Sequence, residues 1–304
     1  MPRVAVIDLG TNTFHLLIAE RPESGGAWQH LLRRKFYVKL AEEGIERIGD
    51  GAYERAMTAV RAFHQDLEAH QVPPNAVKAF GTAALRTAAN APDLLAQMLQ
   101  ETGIQPETIS GQREAELIYK GVRQAVPFPE HRALIMDIGG GSVEFILADR
   151  QQVLWQQSFP VGVAVLYRNF QQHDPMPPIE VWRLENYLEG ALSDLWEALR
   201  HYPAASLIGA SGTFDVIDNL LLDSTVKPPL YGRIPLKAFE PLYHTIIDST
   251  LEQRLAMPGI PQERAEMVVV AMVLLRHVLR KSQVTDIYTS VYALKEGMLE
   301  EVQG

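Results

Sequence analysis

Cysteine is absent from the 304 residues of the chain. This absence excludes a disulfide framework, zinc sites with thiolate ligands and a cysteine nucleophile, and it fits a reducing compartment. Long apolar runs are also missing, since no stretch approaches the roughly 18 residues of a membrane span. The apolar run that opens the chain reaches Asp8 too early for a signal peptide. We therefore expect a soluble, cytoplasmic protein without a membrane partner.

Positive charge is scarce as well. Lys and Arg number 28 against 37 Asp and Glu, which gives a formal net charge of -9. This balance argues against sequence-independent binding of nucleic acid, so a polyanionic ligand would need locally concentrated side-chain cations or metal ions. Arg33, Arg34, Lys35 and Lys39 form the dense basic cluster of the sequence. The cluster could guide a polyanion, or it could be a solvated strand edge.

Length and pattern predict two α/β domains. A chain of 304 residues suits two domains of roughly 150 residues each, and strand and helix signals alternate along it. The segment 126–131 contains two prolines and is followed by a new apolar run, so we place the boundary there, with domains at 1–126 and 127–304.

The periodicity of apolar residues predicts individual elements. Strands are expected at 3–9, 14–20, 77–80, 107–110 and 287–290, and helices around 56–67 and at 91–102, 114–124, 180–199, 265–279 and 293–302. The turn at 10–13 between the first two strands predicts a β-hairpin.

An internal repeat is the most informative feature. The segment Asp8–Glu20 matches Asp137–Asp149 at a shift of 129 residues. Each copy has an acid at the end of an apolar strand, a turn of small residues, a hydroxyl residue (Thr13 or Ser142) and a second apolar strand that closes on alanine and an acid. Two related domains with a cleft between them follow from this repeat.

The two turns have the chemistry of an anion site. Glycine lets the backbone approach a ligand closely, and successive N–H groups in such turns form a concavity for phosphate oxygens. The predicted phosphate-binding residues of the turns are Gly10, Thr11, Asn12, Thr13, Gly139, Gly140, Gly141 and Ser142. Asp8 and Asp137 would face each other across the cleft and could hold Mg²⁺. The alternative is that both acids only accept backbone hydrogen bonds in their turns.

A third turn carries a similar signal. The segment Gly209-Ala-Ser-Gly-Thr213 follows an apolar stretch and precedes a helical pattern. Its backbone N–H groups, at Gly209, Ser211, Gly212 and Thr213, could cradle a phosphate or a ribose. An ordinary strand-to-helix turn is the alternative.

Together the motifs resemble those of a known family. The segments 8–13, 81–86, 109–115, 137–144 and 209–213 occur in the order found in exopolyphosphatases and guanosine-pentaphosphate phosphohydrolases, and they span nearly the whole chain. The resemblance implies duplicated actin-like, sugar-kinase-like (ribonuclease H-like) α/β domains with the active site between them. It also implies Mg²⁺, with Mn²⁺ as an alternative, and a homodimer.

The same resemblance implies the reaction. The expected activity is hydrolysis of the terminal phosphate of inorganic polyphosphate. The alternatives are removal of the 5'-phosphate of guanosine pentaphosphate, nucleotide or alarmone sensing with little turnover, and phosphotransfer as in the sugar kinases.

By that resemblance Glu114 is the catalytic base and Arg86 the arginine that contacts phosphate. If Gly111 were the helix N-cap, Glu114 would be at the third helical position, where an acid favours the helix dipole without any catalytic role. Arg86 could likewise be a surface arginine. Glu144 matches the acid that completes the metal set and orients a metal-bound water, or it is an ordinary strand residue.

The sequence departs from the family pattern in three places. Thr13 replaces a serine but keeps the hydroxyl, and Lys295 replaces an arginine and so loses a bidentate fork. Longer members continue into helical C-terminal domains that help grip long polymers, whereas this chain stops at Gly304. Processive hydrolysis of long chains is therefore not expected, and short polyphosphate chains are one candidate substrate.

Overall fold

The computed structural model describes residues 3–22, 26, 28–128, 131–222 and 228–302. Residues 129 and 130 of the predicted boundary segment lie outside the described residues. The strands are β1 Arg3–Leu9, β2 Thr13–Glu20, β3 Gln29–Tyr37, β4 Val77–Gly81, β5 Pro106–Thr108, β6 Ala133–Ile138, β7 Val143–Ala148, β8 Val153–Phe159, β9 Ser206–Ala210, β10 Tyr231–Pro235 and β11 Asp286–Ser290. The helices are α1 Asp50–Ala69, α2 Ala83–Thr87, α3 Ala91–Thr102, α4 Gly111–Ala125, α5 Val163–Phe170, α6 Pro178–Ala191, α7 Ser193–His201, α8 Gly212–Leu221, α9 Leu236–Ile247, α10 Leu251–Ala256, α11 Val268–Ser282 and α12 Leu294–Glu301, with short 3-10 turns at Pro74–Ala76 and Gln262–Arg264.

The two halves repeat one sheet topology. The first sheet has the order β3-β2-β1-β4-β5, with β1, β2 and β3 antiparallel and β4 and β5 parallel to β1. The second sheet has the order β8-β7-β6-β9-β11, with the same directions and with β10 added antiparallel at the edge. The α/β fold and its duplication, both predicted from the sequence, are confirmed.

Helices α4 and α12 lie between the sheets. One buried cluster combines Val6 and Leu17 of the first sheet with Ile135 of the second, Ala115 of α4 and Met298 of α12. The closing helix therefore returns from the second sheet to pack against α4 and β1. The division at 126/127 stays a prediction.

Strands β6 and β7 are buried at every position, as expected for strands covered on both faces.

Two glycines allow α4 and α12 to cross closely. A Cβ atom at Gly297 would overlap the carbonyl oxygen of Leu117, and one at Gly121 would overlap the carbonyl oxygen of Ala293. Because both obstacles are backbone atoms, they cannot move without shifting a helix.

We expect Gly297→Ala to lower the free energy of unfolding by about 1–3 kcal/mol, the usual cost of overpacking. Gly190→Ala is the matched control, because Gly190 lies in α6 with no atom within 4 Å of an added Cβ. The control should gain about 0.5–1 kcal/mol from helix propensity. Urea unfolding of both variants measures the difference, and equal stabilities would contradict the close crossing.

Some predicted element boundaries are wrong. The single helix expected at 180–199 is two helices, because Leu192 leaves helical geometry (φ -105°, ψ 20°) and is fully buried. Gly190, a weak helix former, stands just before the break. Helix α11 begins at Val268, three residues later than expected, because residues 265–267 form a turn that follows the 3-10 turn at Gln262–Arg264. Strand β3 was predicted only as one of two interpretations of the basic cluster, the solvated strand edge, and residues 33–35 do lie on this edge strand.

Across the described ranges of the chain, no helix combines the length and the apolar character needed to span a membrane.

Candidate active site

The turns at the ends of β1 and β6 meet at a cavity of about 200 Å³. Of the residues predicted for the site, those that line it are Asp8, Gly10, Thr11, Asn12, Thr13, Glu114, Asp137, Gly139, Gly140, Gly141, Ser142, Glu144, Ser211 and Gly212. The structure thus brings most of the predicted residues of both halves to one place.

The two turns are closed in the same way. The N–H of Gly10 donates to the carbonyl oxygen of Thr13 at 3.2 Å, and the N–H of Gly139 donates to that of Ser142 at 3.0 Å. Both pairs are related by the 129-residue shift of the sequence repeat. The repeat in the sequence is therefore a repeat of hydrogen-bonded geometry.

Two glycines of the second turn leave the space that side chains of the first turn occupy. A Cβ atom at Gly140 would lie 2.6 Å from Asn12 Cγ, and one at Gly141 would lie 2.7 Å from Thr11 Oγ1. Neither Gly140 nor Gly141 has a positive φ. Their role is thus the close approach of the two turns and not an unusual backbone conformation.

Contacts within the protein occupy part of the first turn. Thr11 Oγ1 accepts from the N–H of Ala84 at 3.1 Å at the start of α2, and the carbonyl oxygen of Asn12 accepts from the N–H of Val38 at 2.9 Å. Asn12 Nδ2 lies 3.5 Å from Met267 Sδ, while Asn12 Oδ1 is buried without a hydrogen-bond partner among the described residues. The amide oxygen is available to a ligand.

Two buried aspartates occupy equivalent positions. Asp8 on β1 pairs with His15 on β2, and Asp137 on β6 pairs with Glu144 on β7. Burial raises the pKa of Asp8 to about 7, with the charge of Lys295 opposing the shift and that of Asp137 adding to it. Burial also raises the pKa of Asp137 to about 6, against a hydrogen bond from Ser211. A cation in the cavity would favour the charged form of both acids.

Two serines hold Glu144. Its Oε1 accepts from Ser142 Oγ at 2.6 Å and from Ser158 Oγ at 2.7 Å. Burial raises the pKa of Glu144 well above its usual range, and the nearby charge of Glu114 adds to the shift. Ser158 lies on β8, and no local pattern in the sequence marks it as a partner of the cavity.

Glu114 is positioned by the start of α4. The N-cap is Ser110, whose Oγ accepts from the N–H of Arg113 at 3.2 Å. The alternative that began from Gly111 as the N-cap is therefore wrong, because serine satisfies a free N–H there and glycine has no side chain to do so. Glu114 is the fourth helical residue, so it does not have the third position of a capping box, but it lies in the first turn, where an acid favours the helix dipole.

Arg86 connects Glu114 to the chain beside it. Its Nη1 donates to Glu114 Oε2 at 3.2 Å and to the carbonyl oxygen of Ile109 at 2.7 Å. Burial raises the pKa of Glu114 to about 8, while Arg86 opposes the shift and Asp8 adds to it. Arg86 lies in a groove that adjoins the cavity and shares Ser142 with it.

The third turn reaches the cavity only in part. Ser211 and Gly212 line the cavity, and Ser211 holds a strained φ of 68°. Gly209 lies inside β9 under the ring of Phe214, where a Cβ would overlap the ring. Thr213 lines a smaller adjoining cavity. The structure therefore does not bring Gly209 or Thr213 into the main cavity.

Several cationic and ionisable residues of the cavity were not selected from the sequence. They are His15, Lys35, Asp215, Arg264 and Lys295. Burial, together with the positive charges of Lys295 and Arg264, lowers the pKa of His15 to about 3, so His15 is neutral near pH 7. The sequence repeat holds one signal for it, because His15 stands 129 residues before Glu144.

The acids fit a metal ion only in combination with a ligand. Among the residues that the structure describes, no three Asp, Glu or His side chains form a preformed metal cage, and this includes Asp8, Asp137 and Glu144. Mg²⁺ commonly binds one or two carboxylates and completes its shell with phosphate oxygens and water. Asp8 and Asp137 suit that arrangement, and the unpartnered Asn12 Oδ1 could accept from a metal-bound water.

Comparison with known proteins gives consistent matches. Residues 17–303 match the Ppx/GppA phosphatase family. The chain is similar to an exopolyphosphatase from Cytophaga hutchinsonii, with 38% identity, a TM-score of 0.93, and coverage of 99% of this chain and 98% of the other. It also has the fold of the Aquifex aeolicus member of the same family, with 24% identity, a TM-score of 0.81 and coverage of 99% and 98%.

Proposed function

The chain belongs to the Ppx/GppA phosphatase family, and from that premise we propose that it is a magnesium-dependent exopolyphosphatase, which hydrolyses the terminal phosphoanhydride bond of inorganic polyphosphate. The observation that carries the proposal is the position of Glu114. Its side chain is buried beside Arg86, and it lines the cavity together with the two glycine-containing turns at 10–13 and 139–142. A carboxylate in such a place can accept a proton from water next to a bound phosphate.

In the proposed reaction a water oxygen attacks the terminal phosphorus and the bridging P–O bond breaks. Glu114 takes the proton of the water, and the shortened chain leaves as an anion. Arg86 donates to one carboxylate oxygen of Glu114 and so fixes the side chain at the cavity that it lines. Phosphoryl transfer depends mainly on positioning and on electrostatic stabilisation of the equatorial oxygens. The N–H groups of the two turns and the nearby cations supply both.

Bound Mg²⁺ would neutralise phosphate charge and raise the electrophilicity of the phosphorus. Asp8 and Asp137 are the proposed ligands. Glu144 has a different position, because two serine hydroxyls already hold its Oε1. Glu144 is suited to orient a water molecule of the metal's coordination shell, because Ser142 and Ser158 fix the direction of the Glu144 carboxylate.

The size of the cavity supports a small anionic group as the reacting part. Its volume of about 200 Å³ is below the roughly 300–1,000 Å³ of sites for drug-sized ligands. A terminal phosphate with its neighbour suits this space, and guanosine pentaphosphate would also present a terminal phosphate to it. We rank polyphosphate ahead of guanosine pentaphosphate because the similar solved structure from Cytophaga hutchinsonii is an exopolyphosphatase.

The test is phosphate release by the purified protein with Mg²⁺, on tripolyphosphate, long-chain polyphosphate and guanosine pentaphosphate in parallel. We expect kcat/KM to be at least about tenfold higher for a polyphosphate than for the nucleotide, which corresponds to about 1.4 kcal/mol of discrimination in the transition state. Preference for guanosine pentaphosphate would reverse the ranking. Absence of turnover on all three, with tight nucleotide binding, would indicate a sensor.

A further inference from the structure

Arg254 is a charged side chain buried in the second half of the chain. It lies in α10 and is 1% exposed. All three nitrogens of its guanidinium donate hydrogen bonds. Nε donates to the carbonyl oxygen of Ala265 at 2.7 Å, Nη1 to that of Ser249, and Nη2 to Asp174 Oδ1 at 2.7 Å. One side chain thus joins three separate segments of the chain.

Asp174 uses both of its carboxylate oxygens in this arrangement. Oδ1 accepts from Arg254, and Oδ2 accepts from the N–H of Leu251, the first residue of α10. Asp174 lies between α5 and α6, 80 residues before Arg254. Because the planar guanidinium donates in fixed directions, its three acceptors have fixed positions relative to one another. The carbonyl group of Ala265 is therefore held to α10.

The bond to Ala265 fixes the neighbour of a cationic residue of the cavity. Ala265 is buried in the core of the second half, whereas Arg264 lines the main cavity and the smaller adjoining one. A Cβ atom at Gly212 would lie 1.8 Å from Arg264 Nη2, so the guanidinium lies against the start of α8. Its charge adds to the effect of burial in lowering the pKa of His15, and it opposes the effect of burial on the pKa of Asp137.

The segment 262–267, which carries Arg264, also contacts the first half of the chain. Glu266 Oε2 lies 2.8 Å from Lys39 Nζ, with both side chains about one-third exposed. Met267 Sδ accepts from Asn12 Nδ2 at 3.5 Å. Exposed ion pairs of this kind contribute little stability. The position of the segment therefore depends more on its buried side, where the guanidinium of α10 holds it.

We propose that Arg254 is a positioning residue for the reaction. By holding Ala265, it places the guanidinium of Arg264 at the cavity, where this charge offsets that of a bound phosphate. The inference rests on the proposed function and adds to it a residue that does not touch the substrate. Phosphoryl transfer requires charged groups that are held in place before the reaction, and a displacement of about 1 Å can cost about 10²-fold in rate. Stability alone is a weaker explanation, because apolar packing often replaces a buried ion pair without loss.

A double-mutant cycle tests this role. Arg264→Gln should lower kcat/KM for tripolyphosphate about 10²-fold, the usual cost of removing one charge-stabilising group. Arg254→Lys keeps the buried charge but loses the planar fork, and it should lower kcat/KM about tenfold because Arg264 is displaced but still charged. In the Arg264→Gln background, Arg254→Lys should change kcat/KM less than about twofold, since the group that it positions is already absent. Multiplicative effects of the two substitutions would overturn the positioning role.

Asp174→Asn provides a second variant in case Arg254→Lys does not fold, because Asp174 is 33% exposed. It should lower kcat/KM about threefold by weakening one charged hydrogen bond, and it should have no effect in the Arg264→Gln background. Asp286→Asn is the matched control, since Asp286 is 31% exposed, pairs with Arg233 and lies outside the cavity. Equal effects of the two asparagine substitutions on kcat/KM would contradict the proposal.

A crystal structure of Arg254→Lys, or of Asp174→Asn, separates this failure from failure of the proposed function. It should show the segment 262–267 displaced, with Arg264 no longer against Gly212. An unchanged segment would overturn the positioning role at any level of activity. If the wild-type protein releases no phosphate from any substrate, the hydrolase is wrong, and this displacement, with the same cycle measured on the Kd of tripolyphosphate, decides the role of Arg254.

Discussion

Glu114→Gln is expected to lower kcat for phosphate release by about 10²–10⁴-fold, the usual contribution of a positioned general base. Glutamine keeps the size of the side chain and can still accept from Arg86, but it cannot take a proton from water. KM should change little, because the substitution removes an interaction that develops in the transition state. Steady-state kinetics on the best polyphosphate substrate measures both parameters.

Glu116→Gln is the matched control for this variant. Glu116 lies two residues along the same helix, and its exposed carboxylate pairs with Arg113 at 3.1 Å. It should retain wild-type kcat. If Glu114→Gln kept more than about a tenth of the wild-type kcat, the base would have to be another group, with Glu144 as the next candidate because it lines the same cavity.

Removal of Mg²⁺ with EDTA is expected to lower phosphate release at least about a hundredfold, because a bound cation contributes several kcal/mol to stabilising phosphoryl charge. Phosphate release before and after addition of EDTA measures this effect.

Thermal stability should show a second, independent effect of the buried acids. The folded-state pKa values of Asp8, Asp137 and Glu114 are raised to about 7, 6 and 8. The folded chain therefore binds more protons than the unfolded chain above about pH 4, and its stability decreases as pH rises toward 8.

Mg²⁺ relieves this cost only when the acids are ionised. The increase in Tm on adding Mg²⁺ should accordingly be larger at pH 8 than at pH 6, and Asp8→Asn should reduce it. Asp66→Asn is a suitable control, since Asp66 is an acid outside the cavity that pairs with Arg34. An increase in Tm that is the same at both pH values, or that survives in Asp8→Asn, would contradict metal binding at these acids.

The hairpins, the repeat and the acids could all be predicted because they depend on neighbouring residues. The turn that closes with Gly10 and Thr13 needs four consecutive residues, and so does its copy at Gly139 and Ser142. The beginning of α4 was predicted less well, since both Ser110 and Gly111 are acceptable caps and only the hydrogen bond to Arg113 distinguishes them. The break at Leu192 depends on the burial of this residue in the core. The helical spacing of apolar residues gives no information on that packing.

Contacts between distant residues could not be predicted. Ser158 and Glu144 are brought together by the pairing of β7 and β8, and Lys39 meets Glu266 across 227 residues of sequence. Gly209 is an error of another kind. Its motif suggested that it binds a ligand, whereas the residue must be glycine because the ring of Phe214 packs against it.

The sequence by itself determined the duplicated fold, the two turns and the acids Asp8 and Asp137 at their ends, because local hydrogen bonding and the repeat specify them. Only the tertiary structure decided the chemical state of the site. Desolvation of Glu114 depends on the elements that exclude water around it, and its balance against Arg86 depends on an ion pair between two helices. The pKa of such a side chain depends on the residues that surround it, and these residues come from both halves of the chain.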